Sequence, residues 1–426
     1  MAAIAYTIPT AGTTLPKLQR KVQGKMLKVF QSSCEEFQLL KRLKQYDVNF
    51  SAREVTTVID VQRQGGGASI VEGGFEAVPR TVAPNELTFT WVNYNDRFAL
   101  TMTAKMIDQH HRQSEIKRQI VYQTEKLGEG MANRLGYRFY GFSDGIVCKT
   151  STNATQASGT YALIDAYGKS GLDNTTYLKR MFANGDRIAL RRAGALVTNA
   201  IGTITAAPTT AGIAVTWNGS VDSDANDEII FAQSSDDAGT LSASTDDSKC
   251  PIGLFDMVET ASVHQLSSVT EPEWAAAGNL AAGGASLNGT MIMAARDEIA
   301  NQGGGEANLL ILAQGVQREM FRTTSSALRF NDPVGMNISG STQFTGIKQF
   351  TSRKVPPSYA WLIDDSTLHR WSMVPLPGDD GPEVPDYGSA DKIQDRNAMV
   401  FSFDFPYQQV TTNRGNIYQF SGLAEA

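Results

Sequence analysis

The sequence predicts an α+β protein, and three observations carry that prediction. A stretch near 112–140 repeats apolar residues at helical spacing. β-Branched and aromatic runs flank a Gly/Pro-rich tip between 53 and 104, and four short strand-like segments crowd 186–250. Composition agrees: 41% hydrophobic against 19% charged residues over 426 positions can bury a large core, and 9% aromatics is more than a disordered chain carries. At about 150 residues per domain, the length predicts two to four modules.

Residues 1–52 begin with small polar residues, Thr7 to Pro16, and continue as the basic segment Leu18 to Gln31. Few apolar residues recur there at helical spacing, so this arm cannot bury a core alone and is expected to pack on neighbouring copies. In 53–104, Val55, Thr57 and Ile59 alternate with Glu54, Thr56 and Val58, and the strand pattern stops before Gly65-Gly66-Gly67. The return leg is Leu87 to Val92, followed by Arg97 to Thr103, with Gly73, Gly74, Pro79 and Pro84 in the tip between. Such a hairpin has too little apolar surface to fold unaided and needs a surface to lie on.

Ile116, Ile120, Leu127, Met131 and Leu135 then form one helical stripe. A helix over 112–140 would span roughly 42 Å, and Gly128, Gly130 and Gly136 predict a kink or a close backbone contact. The four segments Arg187–Leu190, Ile201–Thr205, Ile213–Trp217 and Glu228–Phe231 predict a small antiparallel sandwich or barrel. Its later half is acidic, with Asp222, Asp224, Asp227, Glu228, Asp236, Asp237, Asp246 and Asp247, and is expected to face solvent. Leu287, Met291, Ala295 and Ile299 stripe another helix, ending at Gly303-Gly304-Gly305. Leu309–Ala313 reads as a buried strand, and a further helix starts at Val316. Beyond 344 strands dominate: Tyr359–Ile363, then Phe401, Phe403 and Phe405 alternating with Ser402 and Asp404, after a loop from Pro375 to Pro385.

Several function classes are excluded. The sequence has no run of 18 apolar residues to cross a membrane as a helix, and its N-terminus lacks a secretory pattern, so the protein is expected to stay where it is made. Cys34, Cys148 and Cys250 have neither disulfide nor zinc spacing, and His110, His111, His264 and His369 form no HExxH, so neither a cofactor nor a metal is expected. Residues 1–140 hold 19 Lys/Arg and 13 Asp/Glu, a balance of +6. The rest hold 19 and 31, a balance of −12. A dedicated DNA-binding domain would be far more basic.

Four motifs invite chemistry. Gly141-Phe-Ser143-Asp-Gly145 matches the GxSxG nucleophile elbow, but that elbow needs a strand before the serine and a helix after it, and here the order is reversed. A serine hydrolase using Ser143 is the alternative of a different class. Gly168-Lys169-Ser170 resembles the end of a phosphate loop, yet Leu163 stands where its first glycine belongs. Asp222-Ser-Asp224-Ala-Asn226 copies the first ligands of a calcium loop, with Asp227 at the glycine position and Gln233 in place of the bidentate glutamate. His110-His111 point about 100° apart on a helix and cannot easily share an ion. No catalytic motif survives, and the two uncored extensions point to an assembly subunit.

From about residue 84 onward a series of motifs carries a family resemblance. It comprises Asn95-Asp96-Arg97-Phe98-Ala99-Leu100-Thr101, Glu125 to Leu135, Tyr140-Gly141-Phe-Ser-Asp144-Gly145, Gly185 to Arg192 and Asn226 to Ala232. It continues with Gly253-Leu254, Pro272-Glu273-Trp274, Thr345-Gly346-Ile347 and Val355 to Asp364. Each is degenerate alone. In series they resemble the major capsid proteins of tailed double-stranded DNA bacteriophages, which share the Hong Kong 97-type fold. An encapsulin-like shell has the same fold, and the large β-insertion argues against it.

The resemblance implies an N-terminal arm at 1–52, an extended β-hairpin loop at 53–104 and a peripheral-domain spine helix at 105–145. It implies an axial α/β domain at 146–185 and 251–373, interrupted by a β-rich insertion at 186–250, with C-terminal strands at 374–426 returning to both domains. Leu39, Val55, Ile59, Gly66, Phe75, Phe89 and Trp91 are then expected to contact other subunits, and Lys21, Lys25, Lys28 and Arg118 to face packaged DNA. The implied partners are many copies of the chain in hexamers and pentamers, a separate scaffolding protein, a portal, a possible decoration protein and double-stranded DNA bound non-specifically, with no membrane. The implied location is the virion, after assembly in the host bacterial cytoplasm. No lysine lies between Lys44 and Lys105, so although Asn397 sits in a suitable segment, the shells are expected to be non-covalent.

Overall fold

The computed structural model describes residues 34–43, 49–51, 54–59, 85–101, 114–232, 250–327, 343–344, 347–373, 390–392 and 398–426. Backbone contacts divide the chain into two units. The first is Met1–Arg42, Val92–Gly136 and Trp371–Tyr407, and the second is Leu43–Trp91, Tyr137–Arg370 and Gln408–Ala426.

In the first unit the strand Val92–Thr101 runs antiparallel to the start of the strand Ala398–Thr411, in register from Val92 opposite Tyr407 to Thr101 opposite Ala398. The short strand Ala390–Lys392 also pairs with it antiparallel. The 25-residue helix Ser114–Arg138 continues through Gly128, Gly130 and Gly136. A methyl group at Gly130 would meet nothing within 4 Å, so no close approach explains that glycine.

The second unit holds three sheets that matter here. The root of the hairpin is a three-stranded antiparallel sheet of Asn49–Ser51, Glu54–Ile59 and Asn85–Thr90. Period-two alternation sorts its faces: Val55, Thr57, Ile59, Leu87 and Phe89 are buried, while Glu54, Val58 and Glu86 are exposed.

The predicted sandwich is instead one antiparallel sheet of seven strands. Its order is Ala154–Tyr161, Ile213–Ser223, Ala195–Ile204, Arg187–Arg192, Glu228–Phe231, Ile146–Thr150 and Leu163–Ile164. Four short strands alone would leave two unpaired edges, and strands from 146–164 cover both. The β-rich layer therefore does not begin at 186. Ala189, Ile201, Ile230 and Ala232 form a core cluster on it, and Trp217 donates its indole N–H to the Tyr161 hydroxyl at 2.8 Å.

The third sheet is six-stranded and mixed, ordered Gly278–Ala281, Ile417–Ser421, Ala360–Ile363, Leu309–Ala313, Ile347–Ser352 and Gln343–Phe344. Every residue of Leu309–Ala313 is buried, as its unbroken apolar run predicts. The helices Gly289–Gln302 and Gln314–Ala327 flank that strand in sequence.

Candidate functional site

The turn after the long helix is closed by Arg138, whose guanidinium donates to Gly145 O at 2.7 Å and Ile146 O at 3.2 Å. The strand Ile146–Thr150 follows, so Ser143 lies between a helix and a strand in the order opposite to a nucleophile elbow. The turn docks on the helix Leu254–Glu259: Leu254 N–H donates to Phe139 O at 3.0 Å and Phe255 N–H to Tyr140 O at 3.2 Å. Ser143 N–H donates to Asp256 Oδ2 at 2.5 Å, and Thr260 Oγ1 donates to Asp256 Oδ1 at 3.0 Å.

Ser143, Asp256 and His264 line one cavity of about 410 Å³, which makes the hydrolase reading testable by geometry. His264 sits with φ 53° and Gln265 with φ 64° in the two-residue turn joining Ser262–Val263 to Leu266–Ser267. Its Nε2 accepts Thr411 N–H at 3.4 Å, a backbone group rather than the Ser143 hydroxyl. Asp256 holds the backbone of Ser143 rather than the imidazole. Burial, and secondarily Asp144, pushes the Asp256 carboxyl up to about 7. Burial and then Arg414 pull His264 down to about 3. The three side chains meet without forming a proton relay.

Arg414, buried beneath this site, donates to Met257 O at 2.8 Å, Thr260 O at 2.7 Å and Ala261 O at 3.4 Å, satisfying carbonyls at the end of the helix Leu254–Glu259. Sequence reading missed Arg414 and Asp256, because no local pattern marks residues whose partners lie so far along the chain.

The acidic loop already holds a cation of its own. Arg192 reaches Asp224 Oδ2 at 2.8 Å, Asp227 Oδ1 at 2.8 Å and Oδ2 at 3.0 Å, and Asp222 O at 2.9 Å. Among the described residues no group of three or more His, Cys, Asp or Glu side chains could hold a metal ion.

The residues expected to contact other subunits divide. Val55 and Phe89 are fully buried and Ile59 nearly so, within this chain alone. Phe89 packs edge-on to His264, and Gln408 Nε2 donates to Thr90 O at 2.9 Å. These three are therefore corrected from contact residues to core: the hairpin root already has its surface. Leu39 and Trp91 are half-buried, and Gly66 and Phe75 lie outside the described residues. So do Lys21, Lys25, Lys28 and Asn397, while Arg118 lies on the long helix. Among the described residues, large apolar side chains left exposed are Val58, Tyr122, Leu196, Val269, Leu280 and Met293. Val58 was legible as an apolar residue in the polar phase of its strand.

No protein-family model matches the sequence, and no curated protein is similar to it. Solved structures are similar. The cyanophage A-1(L) capsid asymmetric unit aligns over 92% of this chain and 93% of that one, with a TM-score of 0.50 at 11% identity. The chain has a Hong Kong 97-type capsid fold. Lower-scoring similarities are to the capsid of an empty GTA particle (TM-score 0.45, 9% identity, 91% and 95% covered) and to the SrpI encapsulin complex of Synechococcus elongatus PCC 7942 (0.40, 8%, 91% and 86%). Both the seven-stranded sheet and the six-stranded mixed sheet belong to the second unit.

Proposed function

We propose that the protein is a structural subunit of a bacteriophage head, many copies of which close into an icosahedral shell around packaged double-stranded DNA. The observation that carries this reading is the capsid fold, shared with the cyanophage subunit along nearly the whole of both chains. The mechanism is distributed burial: each copy adds modest contacts to its neighbours, and repetition across a closed lattice makes the whole stable. The exposed apolar side chains Val58, Val269, Leu280 and Met293 are the surface available for such contacts.

A separate scaffolding protein, a portal and a decoration protein complete the proposed partners, with assembly in the host bacterial cytoplasm. Lys21, Lys25, Lys28 and Arg118 offset repulsion between DNA and a chain of net charge −6. Electron microscopy of the purified particle, with nucleic acid assayed inside it, tests the reading: closed shells containing DNA are expected. A protein that stays monomeric under every assembly condition, or reacts with a serine-directed phosphonate at Ser143, overturns it. A cross-linked ladder surviving boiling in detergent would refute the non-covalent shell, and efficient closure by this chain alone would refute the separate scaffold.

A further inference from the structure

The sequence contains three asparagine–glycine pairs: Asn184-Gly185, Asn218-Gly219 and Asn288-Gly289. Such a pair can react with itself, because glycine has no Cβ to restrict the approach of its backbone nitrogen to the asparagine side chain. All three asparagines are exposed, so exposure does not choose among them. Hydrogen bonding and strand pairing do. At Asn184-Gly185 the nitrogen is engaged: Gly185 N–H donates to Ile204 O at 2.8 Å. The turn around it is pinned by Asp186 N–H to Ala183 O at 3.2 Å, Ile204 N–H to Asp186 O at 2.9 Å and Ala183 N–H to Asp186 Oδ2 at 2.7 Å. At Asn288-Gly289 the side chain is engaged. Asn288 Oδ1 accepts Met291 N–H at 3.0 Å and caps the helix Gly289–Gln302, so turning the amide toward Gly289 would uncap that helix.

At Asn218-Gly219 the pairing itself lapses. Thr216 stands opposite Ser158 and Val221 opposite Gln156, so the strand Ile213–Ser223 bulges against Ala154–Tyr161 between those two positions. On its other side, the register with Ala195–Ile204 ends at Trp217 opposite Gly202. Asn218, Gly219 and Ser220 therefore have no partner residue in either ladder. Trp217 is held on the buried side by its indole bond to the Tyr161 hydroxyl, and Asn218 beside it is exposed. The Asn218 side-chain amide makes no hydrogen bond among the described residues.

We propose that Asn218 is a self-modification site, the asparagine–glycine pair at which the folded chain deamidates. Gly219 N attacks Asn218 Cγ. The new N–Cγ bond closes a succinimide ring as the Cγ–Nδ2 bond breaks, and the proton of Gly219 N–H leaves with the amide nitrogen as ammonia. Water then opens the ring at either carbonyl. Cleavage at Cγ gives aspartate, and cleavage at the main-chain carbonyl gives isoaspartate, whose backbone is one atom longer. Neither step needs an oxidant, a cofactor or a second protein. A bulge already out of register accommodates the extra backbone atom, while the paired residues Thr216 and Val221 on either side keep the change local. Each event adds one negative charge to an exposed stretch of the seven-stranded sheet. This inference is independent of the assembly reading.

The full chain, aged folded at mildly alkaline pH and sampled over weeks, tests the proposal by peptide mapping with mass spectrometry. A fresh sample digested in the same way subtracts any deamidation caused by digestion. Progressive loss of the amide at Asn218, with isoaspartate among the products, is expected while Asn184 and Asn288 keep theirs. Loss at Asn184 or Asn288 ahead of Asn218, or an intact Asn218 throughout, overturns the proposal. A second arm ages the chain in denaturant, where the hydrogen bonds that restrain Gly185 and Asn288 are gone. The three pairs should then lose their amides at comparable rates. If the unfolded chain keeps the same preference for Asn218, adjacent residues rather than the bulge select the site, and the proposal fails.

Discussion

The ring of Phe89 lies edge-on to the imidazole of His264, with centroids 5.7 Å apart and planes at 61°. This contact joins the root of the hairpin to the two-residue turn beside the Ser143 cavity, and both residues are fully buried. It makes the hairpin root part of the subunit's own core. Phe89→Ala is therefore expected to destabilise the isolated subunit by about 3–5 kcal/mol, the usual cost of emptying a buried aromatic site. Val58→Ser, on the exposed face of the paired strand, should change subunit stability by less than about 0.5 kcal/mol while slowing shell closure. Urea denaturation and light scattering during assembly separate the two effects. Equal effects on stability would show that the faces are misassigned.

His264 and Asp256 should make opposite contributions to the pH dependence of stability. His264 is held near 3, below the ordinary 6.5, so the unfolded chain binds the extra proton and stability falls as pH drops from 6.5 toward 3. Asp256 is held near 7, above the ordinary 3.8, so the folded chain binds the extra proton and stability falls as pH rises from 3.8 toward 7. Between about pH 4 and 6.5 the two slopes cancel. Relative to the unmodified chain, His264→Phe should gain stability toward acid and Asp256→Asn should lose it, each by about 1.4 kcal/mol per pH unit at most. Parallel profiles for both variants would contradict the assignment.

Local patterns were legible and distant partnerships were not. Alternation at 54–59 and 85–90 gave the hairpin strands and their apolar face, because a strand's period of two is written in consecutive residues. Nothing local says that the face rests on His264, or that Gln408 bonds Thr90 across 318 residues of sequence. The strands at 187–231 were equally legible, but the sheet's true extent depends on pairing with Ile146–Thr150 and Ala154–Tyr161, which alternation cannot report. The Ser143 motif was visible and its chemistry was not, since the outcome turns on Asp256 accepting from the Ser143 backbone and His264 Nε2 from that of Thr411.

Calcium should leave the protein unchanged. The acidic residues Asp224 and Asp227 already bind the Arg192 guanidinium, so a divalent ion would have to displace a fixed positive charge. Thermal unfolding in millimolar calcium and in EDTA is expected to give the same midpoint. A midpoint that rises with calcium, and ceases to do so in Asp224→Asn, would show that the loop is an ion site after all.

Two glycine-to-alanine substitutions should have opposite signs. At Gly253 the backbone has φ −106°, which any residue adopts, so the constraint is space rather than conformation. A Cβ there would stand 2.2 Å from Gly141 O and 2.8 Å from Gly141 N, both backbone atoms of the turn that the helix Leu254–Glu259 grips. Relieving that overlap means pulling Leu254 N–H and Phe255 N–H away from Phe139 O and Tyr140 O, leaving buried polar groups unpaired. Gly253→Ala should therefore cost more than about 3 kcal/mol. Gly130 lies inside the long helix with nothing within 4 Å of its would-be methyl, so Gly130→Ala removes unfolded-state freedom at no steric cost and should stabilise by about 0.5–1 kcal/mol. Denaturation midpoints of the two variants decide it: a destabilised Gly130→Ala would reveal a close contact on the helix, and a tolerated Gly253→Ala would show that the turn and the helix Leu254–Glu259 are not in backbone contact.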